Sequence, residues 1–246
     1  SPTKKIYVEE KDKSSILNFL TQMSFNYQVE EADSKDYVTE YYQNTPAVNL
    51  GSKYVIVPSW VKDFPKERIP IFLDPSSAFG TGEHPTTQMC VSNLEYIFKK
   101  FKINRVLDIG TGSGVLAFIS CFEGALVVDA SEIDPQAIDI FEINNMKLGF
   151  NIPCFCTGDS KGLIDKTQNS LYDLIISNIL LNANLSYERA FRELLKKDGL
   201  LILSGLLSGQ EDELFNAFKD EFRIVLKTHK LWREESWSNL ILQKKI

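Results

Sequence analysis

The stretch Val106-Leu-Asp-Ile-Gly-Thr-Gly-Ser-Gly-Val-Leu116 joins two apolar segments through three closely spaced glycines. A short apolar run bounded by glycines is typical of a buried strand, and the apolar residues after the last glycine favour the start of a helix. The next apolar run ends at Glu132, where a carboxylate can accept hydrogen bonds from both hydroxyls of a ribose. The stretch therefore predicts a nucleoside site at the carboxyl edge of an α/β sheet.

Strands and helices alternate on both sides of this stretch. The strands at 222–229 and 237–243 are joined by too few residues for a crossover helix, so they must run antiparallel. Strand–helix alternation elsewhere predicts a largely parallel sheet, and we expect a seven-stranded α/β sheet that ends in an antiparallel hairpin. The other expected strands are 105–108, 126–132, 153–156, 171–178 and 200–205, and the expected helices are 114–122, 135–147, 182–195 and 210–219.

The spacing of the glycines discriminates between nucleoside cofactors. Gly110, Gly112 and Gly114 form the pattern G-x-G-x-G. The dinucleotide fingerprint would place its third glycine where this chain has Val115. Together with the antiparallel end of the sheet, the pattern resembles class I methyltransferases, which use S-adenosyl-L-methionine (AdoMet). A nicotinamide dinucleotide, and a turn that serves packing alone, remain as alternatives.

The composition limits the possible partners. The chain has 246 residues and a formal net charge of -6, which disfavours a nucleic-acid backbone and suits a basic protein partner. No apolar run approaches the roughly 20 residues that a membrane span needs. No apolar signal-peptide segment follows residues 1–5. We expect a cytoplasmic monomer that contacts neither nucleic acid nor membrane directly.

The cysteines predict neither disulfides nor a metal centre. Cys154 and Cys156 lie two residues apart, so on a strand they share one face, and Cys90 and Cys121 stand alone. We expect all four to be apolar filler in a reducing compartment. The chain has only two histidines and no second close cysteine pair, so no metal site is expected.

The first third of the chain predicts smaller elements. Ile16, Phe19, Leu20 and Met23 have the spacing of one helical face. A short strand at 27–29, a helix from about residue 36, a connector at 44–53 and strands at 54–58 and 69–73 follow. We expect a small N-terminal α+β appendage at 1–35, a connector and lid at 36–84, and a Rossmann-like domain at 85–246.

One loop motif carries a family resemblance. The segment Leu73-Asp-Pro-Ser-Ser-Ala-Phe-Gly-Thr-Gly-Glu-His-Pro-Thr-Thr87 closely resembles the PrmA family, which methylates ribosomal protein L11. The resemblance extends from about residue 36 to the C-terminus. It also includes the glycine turn and the segments Ser131-Glu-Ile-Asp-Pro135, Ser177-Asn-Ile-Leu180 and Leu203-Ser-Gly-Leu-Leu207.

The resemblance implies a function and a substrate. It implies AdoMet as methyl donor, and trimethylation of lysine ε-amines and of the N-terminal α-amine of ribosomal protein L11. In the family an N-terminal domain recognises that protein, and residues 1–35 correspond to a truncated form of it. Another protein amine or a small molecule as substrate, and an AdoMet-binding protein without turnover, therefore stay open as alternatives.

The cofactor residues are expected to come from the loops at the carboxyl edge. Asp108 would organise the glycine turn or neutralise the amino group of the methionine moiety. Asp159 and Ser160 are candidates for the adenine edge. Residues 79–87 are expected to act as a lid in which Phe79 excludes water. The complete set of expected cofactor-binding residues is Phe79, Thr81, Thr86, Thr87, Asp108, Gly110, Gly112, Gly114, Glu132, Asp159, Ser160 and Asn178.

Asn178 is the expected catalytic residue. It follows the fourth strand of the nucleoside-binding sheet, at the edge where substrates bind. Its amide oxygen can accept an N–H bond from an amine and direct the nitrogen lone pair toward the methyl carbon, although a simple strand-end turn is an alternative. For His84, fixing the loop by hydrogen bonds and accepting a proton are both considered.

Overall fold

The computed structural model describes residues 10–23, 45–74, 82–168 and 170–245. The chain divides into two compact units, Ser1–Tyr41 and Tyr42–Ile246. In the first unit, helix α1 (Glu10–Gln22) confirms the helix predicted from the apolar spacing. The strand expected at 27–29 and the helix expected from residue 36 lie outside the described residues.

The second unit contains a small sheet of three strands. These are β1 (Val48–Leu50), β2 (Tyr54–Ile56) and β3 (Ile69–Ile71). Strand β1 pairs antiparallel with β2, and β3 pairs parallel with β2. Strands β2 and β3 were predicted from the sequence, whereas β1 was assigned to a connector, since three residues are too few to show a periodic pattern.

The main sheet has seven strands. They are β4 (Arg105–Ile109), β5 (Val127–Glu132), β6 (Cys154–Cys156), β7 (Tyr172–Asn178), β8 (Leu195–Leu207), β9 (Phe222–Trp232) and β10 (Glu235–Lys244). Their order is β6-β5-β4-β7-β8-β10-β9. Strands β4 to β8 pair in parallel, whereas β10 is antiparallel to both β8 and β9. The predicted sheet with its antiparallel end is confirmed.

Helices cover both faces of the main sheet. They are α2 (Pro85–Lys100), α3 (Val115–Phe122), α4 (Pro135–Lys147), α5 (Ser160–Lys166), α6 (Leu181–Ser186), α7 (Glu188–Leu194) and α8 (Gln210–Phe218). Val106 belongs to the core under α2, α3 and α4, and its neighbour Leu107 belongs to the core under α5, α7 and α8. Since successive strand residues face opposite sides, β4 contributes to two separate cores. Full burial of a Leu or Phe stabilises the fold by about 1.5–3 kcal/mol.

Two local predictions were wrong. The helix predicted at 182–195 is two helices, α6 and α7, that meet at Tyr187. Residues 197–199 were expected to end that helix, but they lie within β8, where a register irregularity takes up the extra residues and Asp198 has a φ of 60°. The predicted antiparallel hairpin is confirmed, but its strands extend beyond 229 and begin before 237, so that Glu235 pairs with Trp232 and the turn has two residues.

Candidate functional site

The site lies where the sheet reverses its strand order. From β4 the chain continues to β5 on one side, whereas β7 continues to β8 on the other side. Such a reversal leaves a crevice at the carboxyl ends of the two central strands. Gly110 follows β4 and Ile179 follows β7, and a Cβ atom on Gly110 would overlap the Ile179 side chain. The loops that border the crevice therefore touch, and only glycine fits at position 110.

The glycine turn holds its backbone in the left-handed region. The φ angles of Gly110, Gly112 and Gly114 are 69°, 55° and 90°. A Cβ atom on Gly114 would overlap the rings of Phe118 and Phe141, so α3 starts directly against the core. The turn thus leaves main chain, without side chains, beside the crevice.

Glu132 ends β5 and holds the glycine turn. One of its carboxylate oxygens accepts from the Gly112 N–H at 3.0 Å. The other accepts from the N–H groups of Ile133 at 2.8 Å and Asp134 at 3.2 Å. A carboxylate offers about four acceptor positions, so these bonds leave capacity for a ligand hydroxyl. Asp134 is the N-cap of α4 and accepts from the Gln136 N–H at 2.9 Å.

Asp108 is buried beneath the turn. Its carboxylate accepts from the Thr111 hydroxyl at 2.7 Å. Burial raises the pKa of Asp108 to about 7, and the charge of Glu132 adds to this rise, while bonds from Thr111 and the Ala117 N–H oppose it. Asp108 therefore organises the glycine turn, and a cation beside it would favour its ionised form.

Asp159 and Ser160 lie at the start of α5, a helix that was not predicted. Asp159 is the N-cap and accepts from the Gly162 N–H at 2.7 Å. The Ser160 hydroxyl donates to the Ser186 carbonyl at 2.8 Å and accepts from the Ala190 N–H at 3.3 Å. Since this hydroxyl is used within the protein, an adenine contact of Ser160 would have to come from its main chain.

The opposite side of the crevice carries Asn178 at the end of β7. Its amide nitrogen lies 3.5 Å from the Thr87 hydroxyl oxygen, to which it donates. Its amide oxygen is buried and has no hydrogen-bond partner in the described part of the chain. Thr86 and Thr87 are both buried in the first turn of α2, so the fold brings these three predicted residues together.

His84 is the N-cap of α2. Its Nδ1 atom accepts from the Thr86 N–H and lies 2.8 Å from the Thr86 hydroxyl oxygen. The ring makes edge contacts with Trp232 and Trp237, at centroid distances of 4.9 and 4.5 Å. Burial lowers the pKa of His84, which keeps the imidazole neutral at pH 7. These contacts favour the role of fixing the loop over that of accepting a proton.

Comparison with known proteins identifies the family. The family model described as "Ribosomal protein L11 methyltransferase (PrmA)" matches residues 3–245. The chain belongs to the PrmA family. The PrmA protein of Shewanella woodyi, named ribosomal protein L11 methyltransferase, is 34% identical over 219 residues, which are 88% of this chain and 70% of the relative. The protein of the same name from Bacillus cytotoxicus is 33% identical over 221 residues, 89% of this chain and 68% of the relative.

Solved structures agree with this assignment to PrmA. The ribosomal protein L11 methylase of Lactobacillus delbrueckii superposes with a TM-score of 0.70 at 30% identity, covering 82% of this chain and 99% of that one. The N-methyltransferase NodS of Bradyrhizobium japonicum has a TM-score of 0.54 at 13% identity, over 66% of this chain and 89% of that one. The latter likeness shows the shared class I methyltransferase fold.

Two of the cofactor-binding residues predicted for this PrmA chain have no structural description. Other predictions concerned metal sites, disulfides and membrane spans. Phe79 and Thr81 are outside the described residues. Within the described ranges, no cluster of three His, Cys, Asp or Glu side chains could hold a metal ion, and all four cysteines are free. In the same ranges, no helix combines the length and apolarity required to cross a bilayer.

One contact near the crevice, which arises from the PrmA fold, was not predicted from the sequence. Ile133 is 66% exposed beside Glu132, and a Cβ atom on Gly158 would overlap its side chain. Ile133 therefore presents an apolar surface near the expected adenine edge. The sequence does contain a signal for this exposed apolar residue, because Ile133 stands between the acidic residues Glu132 and Asp134.

Proposed function

We propose that this protein transfers methyl groups from AdoMet to amino groups of ribosomal protein L11. The acceptors are lysine ε-amines and the N-terminal α-amine, each methylated up to three times. Membership in the PrmA family and the names of the relatives support the substrate. The observation that carries the proposal for the chemistry is the buried, unpartnered amide oxygen of Asn178 at the end of β7.

The described residues fit AdoMet. The three glycines of the turn at 110–114 present bare main chain, and Glu132 retains acceptor capacity for a ribose hydroxyl. Asp108 would neutralise the amino group of the methionine moiety, and Asp159 with the main chain of Ser160 would face the adenine. Thr86 and Thr87 lie on the Asn178 side of the crevice, where the methionine end would be held.

The chemistry requires an uncharged amine at the end of β7. Bound AdoMet supplies a methyl group on a sulfonium, and its leaving group is a neutral thioether. A lysine has a pKa near 10.4 and an α-amine near 8, so desolvation in the crevice must lower the pKa of the amine. Asn178 accepts one N–H bond from the neutral amine and so orients its lone pair. Alignment of the two reacting atoms then provides most of the rate enhancement.

The missing partner of the buried Asn178 oxygen supports a role in binding the substrate. Buried acceptors are nearly always hydrogen-bonded, so an orphan acceptor at a substrate crevice calls for a donor from outside the chain. The substrate amine would supply that donor. A strand-end turn alone would not require a buried amide oxygen there.

The N-terminal region is proposed to contact the substrate. Residues 1–35 would form the recognition region, and residues 36–84 would form a connector and lid. The net charge of -6 suits a basic ribosomal protein and disfavours direct binding to RNA. We further propose that the enzyme works as a monomer in the cytoplasm.

Radiolabelled AdoMet tests the proposed function. The enzyme is incubated with purified ribosomal protein L11 and, in parallel, with a whole-cell lysate. Label on L11 supports the proposal, and label on a different protein or small molecule identifies another substrate. Absence of label despite tight binding of S-adenosylhomocysteine would show a binding protein without turnover. Stabilisation against heat by NAD but not by S-adenosylhomocysteine would overturn the cofactor assignment.

A further inference from the structure

A single buried amide ties the turn after β7 to the neighbouring strand. Asn184 lies on α6 with no exposed surface. Its Nδ2 atom donates to the Ile179 carbonyl at 2.7 Å and to the Ser204 carbonyl at 3.1 Å. Ser204 is the residue of β8 that pairs with Asn178. The two N–H groups of Asn184 therefore hold the end of β7 and the adjacent part of β8 together.

Gly205, in β8, packs against the same Ile179 carbonyl that accepts from Asn184. Its φ is 79°, and a Cβ atom on it would overlap the carbonyl group of Ile179. The main chain of β8 thus approaches the turn more closely than any residue with a side chain allows. Asn184 and Gly205 constrain the Ile179 carbonyl from different elements of the fold.

Ile179 connects the two halves of the crevice. Its side chain lies against Gly110, the first residue of the turn that would hold AdoMet. Its chain neighbour Asn178 carries the unpartnered oxygen that would receive the amine. A shift of Ile179 would therefore change the position of the amine relative to the methyl donor.

We propose that Asn184 and Gly205 are positioning residues, which hold Ile179 between Asn178 and Gly110 and so set the alignment of amine and methyl donor. The inference rests on the proposed methyl transfer at this crevice. An in-line displacement loses rate steeply when its reacting atoms are displaced by even about 1 Å. Both residues would act through Ile179, since the Ile179 carbonyl is contacted by the Asn184 amide and by the main chain at Gly205.

A purely structural role accounts poorly for Asn184. Its amide oxygen is buried without a hydrogen-bond partner in the described residues. A leucine would fill a similar space without burying an unsatisfied acceptor. The contribution of the amide is therefore its two N–H donors, one of which binds the Ile179 carbonyl in the turn and the other the Ser204 carbonyl in β8.

The first experiment compares Asn184→Ala with Asn145→Ala. Asn145 is also buried on a helix, and its amide exchanges two hydrogen bonds with the main chain of Ile152, away from the crevice. We expect kcat at saturating AdoMet and L11 to fall about tenfold or more in Asn184→Ala, with S-adenosylhomocysteine affinity within about twofold of wild type. Asn145→Ala should keep kcat despite a similar loss of thermal stability. Equal kcat values for the two variants would overturn the proposal.

The second experiment compares Gly205→Ala with Gly149→Ala. Gly149 has a φ of 74°, close to that of Gly205, but open space around its Cβ position. Both variants therefore carry the same backbone strain, and only Gly205→Ala pushes on Ile179. We expect a loss of kcat in Gly205→Ala alone. Similar kcat values in both variants would count against the positioning role.

Hydrogen exchange separates a failure of this inference from a failure of the proposed function. Amide exchange in the segment 178–184 requires no methyl acceptor. We expect faster exchange there in Asn184→Ala than in wild type or Asn145→Ala. Unchanged exchange refutes the positioning role even if the wild type methylates L11. If exchange becomes faster but L11 is not labelled, the assignment of L11 as substrate fails, while the conclusion that Asn184 holds Ile179 in place remains.

Discussion

The Gly112 N–H donates to a carboxylate oxygen of Glu132 at 3.0 Å, which links the glycine turn to the end of β5. The same carboxylate accepts two further main-chain N–H groups, from Ile133 and Asp134. Glu132 is therefore fixed in one orientation before any ligand arrives. A group that is already oriented loses little conformational entropy when it binds a ribose.

Replacement of Glu132 by Gln should weaken cofactor binding. The amide has one acceptor oxygen in place of two, so it cannot serve three main-chain donors and the ribose hydroxyls together. Because hydrogen bonds to charged groups contribute about 1.5–3 kcal/mol, we expect S-adenosylhomocysteine affinity to fall about 10- to 100-fold in calorimetry. Asp134→Asn is the control, since asparagine keeps the helix cap and the substitution removes a nearby charge. An equal loss of affinity in both variants would mean that Glu132 acts only through its negative charge and makes no specific hydrogen bond to the ribose.

Replacement of Asn178 by Ala should separate turnover from binding. The variant loses the acceptor for the amine but leaves the glycine turn and Glu132 unchanged. We expect kcat for methylation of L11 to fall about 10- to 100-fold, with S-adenosylhomocysteine affinity within about twofold of wild type. Rates come from radiolabel incorporation at saturating substrates, and Asn145→Ala again serves as the buried-amide control. Unchanged turnover would remove Asn178 from the mechanism.

The overall sheet could be predicted because its signals are local and repeated. Each long strand is an apolar run beside a turn signal, and the short link before Trp237 required an antiparallel end. Strand β1 and helix α5 were missed, because three and seven residues hold too little periodicity. The start of β8 was misplaced, since residues 196–199 form an irregularity that depends on pairing with β7.

The candidate site could be predicted only where it coincides with strand ends. Asp108, Glu132 and Asn178 follow or end predicted strands, and parallel strands bring their carboxyl ends to one edge. Asn184 and Gly205 gave no such signal. Their importance comes from a close approach of α6 and β8 to Ile179, which is a tertiary contact.

The pKa of Asp108 predicts a pH-dependent stability. Burial raises it from 3.8 to about 7, so between these values the folded state binds more protons than the unfolded state. The contribution of Asp108 to the free energy of unfolding must then fall as the pH rises from about 4 to about 7, and stay constant above. Asp108→Asn removes this dependence. Chemical denaturation at about pH 5 and about pH 8 should show the variant gaining stability relative to wild type at the higher pH.

The same variant tests how Asp108 acts on the cofactor. If its carboxylate pairs with the amino group of the methionine moiety, wild-type affinity for S-adenosylhomocysteine rises as the pH increases through about 7. Asp108→Asn would then bind more weakly and with little pH dependence over that range. Equal affinities and equal pH profiles would leave Asp108 with the single role of organising the glycine turn through Thr111.

His84 can be tested by separating its cap from its proton chemistry. Asparagine is a good N-cap, so His84→Asn keeps an acceptor for the Thr86 N–H while removing the imidazole. If His84 fixes the loop, kcat should stay within about threefold of wild type, because the cap is kept although the ring contacts with Trp232 and Trp237 are lost. His84→Ala also loses the cap and should be about 1 kcal/mol less stable than His84→Asn in denaturant titrations. A fall in kcat of about 100-fold or more in His84→Asn, with loss of the wild-type pH–rate profile, would instead assign proton transfer to the imidazole.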